Sequence, residues 1–186
     1  MKKLIIPKLA LSLLITIAGT IYADKLLQPL KQSQGWQLQA SPTMERKVAI
    51  QPPKGWLPAK EGELPSHVHA AFIGKGGFFL PPSLNVASEP FRGSLKEYLQ
   101  IVKSINKSKG AIWRELGTIE TKAGIGSLSQ VDATTPQGAL RMLHAIILKD
   151  EVIYIVTGAA QREEFPRFYE PFFSAMRSLE ILAENE

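Results

Sequence analysis

The rhythm of apolar and polar positions changes repeatedly along this chain, and each change predicts an element. From Met44 to Gln51, Val48 and Ile50 alternate with Lys47, Ala49 and Gln51, the period-two pattern of a half-buried strand, which Pro52-Pro53-Lys54-Gly55 stops. His67 to Ile73 alternates in the same way, with Val68, Ala70 and Phe72 on one face and His67, His69, Ala71 and Ile73 on the other. Gly74-Lys75-Gly76-Gly77 predicts a turn, Pro81-Pro82 a break, and Leu84 to Glu89 a short third strand.

At Ser94 the period lengthens. Leu95, Tyr98, Leu99, Val102 and Ile105 recur at helical spacing, and Glu97 three residues after Ser94 completes a capping box; Gly110 closes the helix. Residues 111 to 158 lose that period and form four β-rich runs separated by Lys122-Ala123-Gly124, Pro136-Gln137-Gly138 and Lys149-Asp150-Glu151, which predicts an antiparallel meander. Leu140 to Leu148 and Val152 to Val156 are apolar on both faces, so both sides of the sheet must be covered there. Phe165, Phe168, Phe172, Met176 and Leu179 mark a closing helix, with Pro166 suited to a first turn and Pro171 expected to break an interior, so that the regular helix begins near Pro171. These elements predict an α+β fold: a predominantly antiparallel sheet of about six or seven strands sandwiched between helices, over residues 44–182.

The order of these motifs resembles that of the PsbP-like superfamily. Val48-Ala49-Ile50-Gln51-Pro52-Pro53-Lys54-Gly55-Trp56 looks like its strand, proline, Gly-Trp opening. The Pro82-Ser83-Leu84-Asn85-Val86 strand, the Ser94 helix, the Ile153-Tyr154-Ile155-Val156-Thr157-Gly158 strand and the helix from Phe172 to Ile181 follow in the family's order. The family includes photosystem II accessory proteins, envelope proteins of the DcrB type, a nuclear Ran-binding factor and chaperone-like modules for secreted toxins. The resemblance implies an antiparallel sheet between helices, acting as a binding or assembly module. The segments through which the photosystem members act have no match here, and the lipid-carrying cysteine of the envelope members is absent, so no functional residue carries over.

The N-terminus changes the reading of charge. Lys2 and Lys3 precede an apolar stretch from Leu9 to Ala23, the layout of an export signal expected to be cut after Ala23; the alternative is an uncleaved membrane anchor, the only route by which membrane contact is expected. A polar leader, 24–43, follows, and 183–186 form a tail. The whole chain has 22 basic and 17 acidic residues; loss of Lys2, Lys3 and Lys8 leaves 19 against 17, so the basic excess largely belongs to the signal. No Lys/Arg cluster remains outside it, and no nucleic-acid partner is expected. The absence of cysteine excludes disulfides, thiolate metal sites and a cysteine nucleophile.

Few residues then carry candidate chemistry. His67 and His69, two apart on a strand, are placed to chelate Zn²⁺ or Mn²⁺ if a third ligand joins them; Glu61 and Glu63 are near in sequence. His144, on a strongly apolar strand, reads as a packed or hydrogen-bonded core histidine, and Trp56 as a core-edge residue. Gly74-Lys75-Gly76-Gly77 lacks the spacing and the Ser/Thr of a phosphate loop. Gly124-Ile125-Gly126-Ser127 lacks the second glycine of a nucleophile elbow, and Glu163-Glu164 suits a helix start. Phe78 and Phe79, beside a glycine-rich turn, are the candidate partner-binding surface. The expectation is an exported, non-catalytic envelope protein that binds a protein partner and needs no cofactor. The alternative from another class is a periplasmic metal-binding protein using His67 and His69, and a hydrolase is disfavoured because each required motif fails on spacing.

Overall fold

The computed structural model describes residues 47–59, 64–76 and 80–182. The expected signal, the polar leader, the tail, and with them Glu61, Glu63, Phe78 and Phe79 lie outside the described residues. Among the described residues the elements run in the order β1 (Lys47–Ala49), β2 (Leu57–Pro58), β3 (Val68–Ile73), β4 (Ser83–Pro90), α1 (Leu95–Ser108), β5 (Ile112–Thr121), β6 (Gly124–Thr135), β7 (Gly138–Lys149), β8 (Val152–Gln161), α2 (Phe165–Arg177) and β9 (Glu180–Leu182). No helix among them is long and apolar enough to cross a membrane.

Seven strands form one antiparallel sheet in the order β2-β3-β4-β8-β7-β6-β5. The predicted meander is β5 to β8, with its three turns where the breakers stand. The turn between β7 and β8 is made by Asp150 and Glu151, both at positive φ, the conformation a two-residue hairpin of matching twist requires. The first predicted strand exists as β1, but it pairs with β9 in a separate two-stranded sheet.

The α+β sandwich is as the sequence predicts, because β7 and β8 are buried on both faces. On one face α1 lies over Ile146, Ile153 and Ile155 through Tyr98 and Val102, with Leu95, Leu99 and Ile105 half-buried around them. Its start carries the capping box in full: the Glu97 backbone N–H donates to Ser94 Oγ at 3.2 Å, and the Ser94 N–H donates to Glu97 Oε2 at 2.7 Å. On the opposite face α2 covers Leu84, Val86, Leu143, Ala145, Tyr154 and Val156 with Phe165, Phe172, Ala175 and Met176.

Two details of the prediction are corrected. The helix α2 runs from Phe165 to Arg177 straight through Pro171 rather than beginning there. Pro171 removes the hydrogen bond to the Arg167 carbonyl and costs about 3 kcal/mol in an interior. Each large side chain fully buried against the sheet returns about 1.5–3 kcal/mol, and the stripe of this helix supplies several. In β3 the simple alternation fails, because the register shifts between Val68 and Ala70: Val68 pairs with Ala87 and Ala70 with Val86. One extra residue, His69, is accommodated there, so Val68 belongs to the α1 side while Phe72 packs on the α2 side.

Candidate functional site

At the far edge of the sheet β5 has β6 on one side and, among the described residues, no strand on the other. A strand there presents unpaired backbone donors and acceptors along its length. From Ile112 to Glu115 its pairing with β6 is regular; a bulge follows at Leu116, where Gly117 takes a positive φ of 112° that glycine adopts without strain. Ile112 is 57 % exposed and Leu116 44 %.

Arg114 stands between them. It pairs with Gln130 across the strands, on the same face as the Asp132–Arg141 pair of the neighbouring hairpin. Arg141 grips buried Asp132 with both arms of its fork, Nε to Oδ1 at 2.6 Å and Nη2 to Oδ2 at 2.9 Å, and its guanidinium sits 5.8 Å from the centre of the Phe165 ring of α2. Both Asp132 oxygens are thus engaged, and Arg114 Nη2 approaches Oδ2 only to 3.7 Å. With its amide oxygen turned toward the guanidinium groups, Gln130 accepts from Arg114 Nη1 and Arg141 Nε, each at 3.2 Å. The hydrogen bond from Arg141, then the charges of Arg141, Arg114 and Arg162, hold the Asp132 carboxyl below its ordinary range against a desolvation that would raise it. One carboxylate therefore stands among three guanidinium groups, and the surplus charge is carried where Arg114 is 54 % exposed.

This cluster was missed at the level of motifs, although its signal was present. Asp132 and Arg141 are equidistant from the Pro136-Gln137 turn, so reading the hairpin register outward from that turn places them opposite each other.

Of the two histidines, His67 precedes β3 and His69 lies within it. His69, in the bulge, has its Nε2 2.6 Å from Ser88 Oγ on β4 and lies beside the Tyr154 ring at 6.4 Å. Burial, with the neighbouring charge of His67 added, pushes the His69 imidazole below its ordinary value. The proximity of His67 and His69 is thus real, but among the described residues no group of three His, Asp or Glu side chains is placed to hold a metal ion. The His69–Ser88 distance also suits a base and a hydroxyl nucleophile. That chemistry needs backbone donors gathered at an oxyanion position, whereas the Ser88 N–H is already donated to the His67 carbonyl at 2.9 Å.

His144 is the packed core histidine the sequence suggests. It is fully buried, its ring 6.1 Å from that of Trp113, and neither ring nitrogen has a hydrogen-bond partner among the described residues. It sits in a polar row that crosses the α1 face in register: Asn85 on β4, Thr157 on β8, His144 on β7, Ser129 on β6. Burial drives its pKa down to about 3, so the imidazole is neutral. Nearby on α1, Tyr98 donates to the buried Glu89 carboxylate at 2.5 Å, and burial followed by that negative charge pushes the phenol up. Trp56 is a core-edge residue, meeting Phe168 and Phe172 edge-on. Leu80 is buried against Val131, Leu140, Met142 and Ala159.

Neither a family model nor a curated protein matches the sequence. Solved structures do. LpqN, involved in cell envelope biogenesis of Mycobacterium tuberculosis, superposes with a TM-score of 0.52 at 11 % identity, over 77 % of this chain and 87 % of that one. The cyanobacterial PsbP of Synechocystis gives 0.51 at 10 % identity, over 82 % and 99 %. The Saccharomyces cerevisiae Ran-binding protein Mog1p gives 0.52 at 14 % identity, over 73 % and 90 %. At such identities the likeness shows a shared fold, and that fold is the PsbP-like one.

Proposed function

We propose, from this PsbP-like fold, that the chain is an exported, non-catalytic module of the cell envelope that binds a protein partner along the open edge of β5. The observation that carries the reading is the run Ile112 to Leu116: a strand edge unpaired among the described residues, bearing two exposed aliphatic side chains and a guanidinium fixed from below. Unpaired edges of this kind take up extended segments of other chains by main-chain hydrogen bonding. Names borne by proteins of similar fold point the same way, one toward envelope biogenesis and one toward Ran binding, and the layout of Lys2 to Ala23 supports export.

The test is site-specific photo-crosslinking in the producing cells. A photoreactive side chain at Ile112 or Leu116 is expected to give a discrete adduct. Leu57, 68 % exposed on the opposite edge strand, provides the control. Adducts from Leu57 with none from either β5 position would remove the reading.

A second reading, metal binding at His67 and His69, is favoured by the proximity of the two imidazoles. Two imidazoles are a partial ligand set that a third donor would complete. Equilibrium dialysis of the full chain against Zn²⁺ is expected on this reading to retain one equivalent, lost in His67→Ala/His69→Ala. Equal retention by both proteins would dismiss it.

A further inference from the structure

We propose that the β5 edge selects an extended segment that carries a carboxylate, seated on Arg114, with an apolar side chain two residues from it, beside Ile112. This inference rests on the edge-binding reading and adds the chemistry of the partner.

Three features of the edge each demand something of an occupant. Among the described residues the backbone of Ile112 to Glu115 lacks a second neighbouring strand, which an extended chain can supply along its length. Ile112 and Arg114 lie two apart on one regular strand, so they share a face, and an added strand meets them at the same two-residue spacing. Leu116, at the bulge, ends the regular stretch and adds a second exposed aliphatic surface. An occupant therefore sets apolar groups beside Ile112 and Leu116 and a polar group beside Arg114.

The charge of that polar group follows from the hydrogen bonding beneath Arg114. Gln130 accepts from Nη1 and Asp132 lies 3.7 Å from Nη2, which holds the guanidinium against the sheet and leaves other N–H donors of its fork to the outside. Asp132 pairs with it only at 3.7 Å and is shared with Arg141, which binds both carboxylate oxygens, so one negative charge serves more than one guanidinium group. Arg162 adds to the excess. Glu115, the acidic residue next to Arg114 in sequence, pairs in register with Ser129 on the opposite face. A half-exposed, pre-oriented guanidinium with surplus charge suits a carboxylate, to which it can offer parallel N–H bonds, and would repel a lysine.

The experiment uses the full-length chain and three synthetic peptides of eight residues: valine and threonine alternating throughout, with one central position occupied by glutamate, by glutamine or by lysine. Affinity is read by fluorescence anisotropy, and the site by hydrogen exchange of the β5 amides. The glutamate peptide is expected to slow exchange across Ile112 to Glu115 and to bind about tenfold more tightly than the glutamine peptide, the scale of one charge-assisted hydrogen-bond pair. Arg114→Gln is expected to erase that difference, and Arg114→Glu to transfer the preference to the lysine peptide, which also shows that the variants remain folded. Equal protection of β5 by all three peptides, unchanged in Arg114→Gln, would overturn the carboxylate selectivity while leaving edge binding in place. Absence of protection on β5 with every peptide would overturn both.

Discussion

Acidifying the protein from pH 7 to pH 4 is expected to remove about 3 kcal/mol of its stability through His144 alone. In the unfolded chain this imidazole takes a proton near its ordinary value of 6.5, whereas in the fold its pKa is pushed down to about 3 by complete burial. Between those values the unfolded state binds more protons than the folded one, so stability rises with pH and falls as the solution is acidified. The loss sets in as the pH falls through 6.5 and levels off only below about pH 3, at roughly 5 kcal/mol for a shift of that size. Asp132, whose pKa is lowered, adds its own loss only below the ordinary carboxylate range near 3.8, and His69 shifts in the same direction as His144. The residue is isolated by substitution: urea unfolding of His144→Leu is expected to show a shallower decline between pH 7 and pH 4, by about 3 kcal/mol. At neutral pH the variant is expected to match or exceed the parent, because an apolar side chain of similar volume replaces two buried nitrogens that have no partner among the described residues. Parallel pH profiles for parent and variant would show that His144 reaches water or a hydrogen-bond partner in solution.

That residue also shows how far sequence patterning reaches. A histidine inside Leu140 to Leu148 could be read as core because every neighbour is apolar, and the same logic placed β7 and β8 under cover on both sides. Turn chemistry made the meander legible, and the capping box fixed the start of α1 to the residue. Long-range pairing left no such mark. The meander predicts β5 to β8 as neighbours, yet nothing in it states that β4 docks on β8. That docking makes β5 an edge of the sheet. The Arg114, Asp132 and Arg141 cluster lies within that meander and becomes legible only when the registers of its two hairpins are read outward from their turns. The bulge at His69 and the uninterrupted passage of α2 through Pro171 are two cases in which packing against the sheet overrode a local rule. Phe78 and Phe79, the surface the sequence suggests, lie outside the described residues, and the exposed aliphatic side chains that frame the new candidate are on β5.

The position that most tightly couples α2 to the sheet is a glycine in the middle of β8. Gly158 pairs with Leu84 on one side and Leu143 on the other, so it stands in a central strand, where a residue without a side chain ordinarily weakens packing. Its value here is space: a Cβ built at Gly158 would lie 2.4 Å from two ring carbons of Phe172, well inside any tolerable contact. Phe172 is completely buried and touches Trp56, Phe165 and Phe168, so its ring cannot yield without moving the aromatic cluster. Gly158→Ala is therefore expected to cost about 1–3 kcal/mol by overpacking, and Phe172→Ala about 3–5 kcal/mol by leaving a cavity under α2. Because the same few ångströms are at stake, the two sites are expected to couple. Gly158→Ala combined with Phe172→Leu should cost less than the sum of the single changes, by about 1 kcal/mol, as read by urea unfolding of the four proteins in the cycle. The backbone at Gly158 does not take a positive φ, so the alanine penalty reports the ring contact rather than conformational strain. The coupling also bears on the edge. Arg141, which occupies both oxygens of Asp132 and so leaves Arg114 its surplus charge, is itself seated against Phe165 in the first turn of the same helix. A neutral Gly158→Ala, or costs that simply add, would mean that α2 is not held against β8 at this point, and the geometry beneath Arg114 would lose its support.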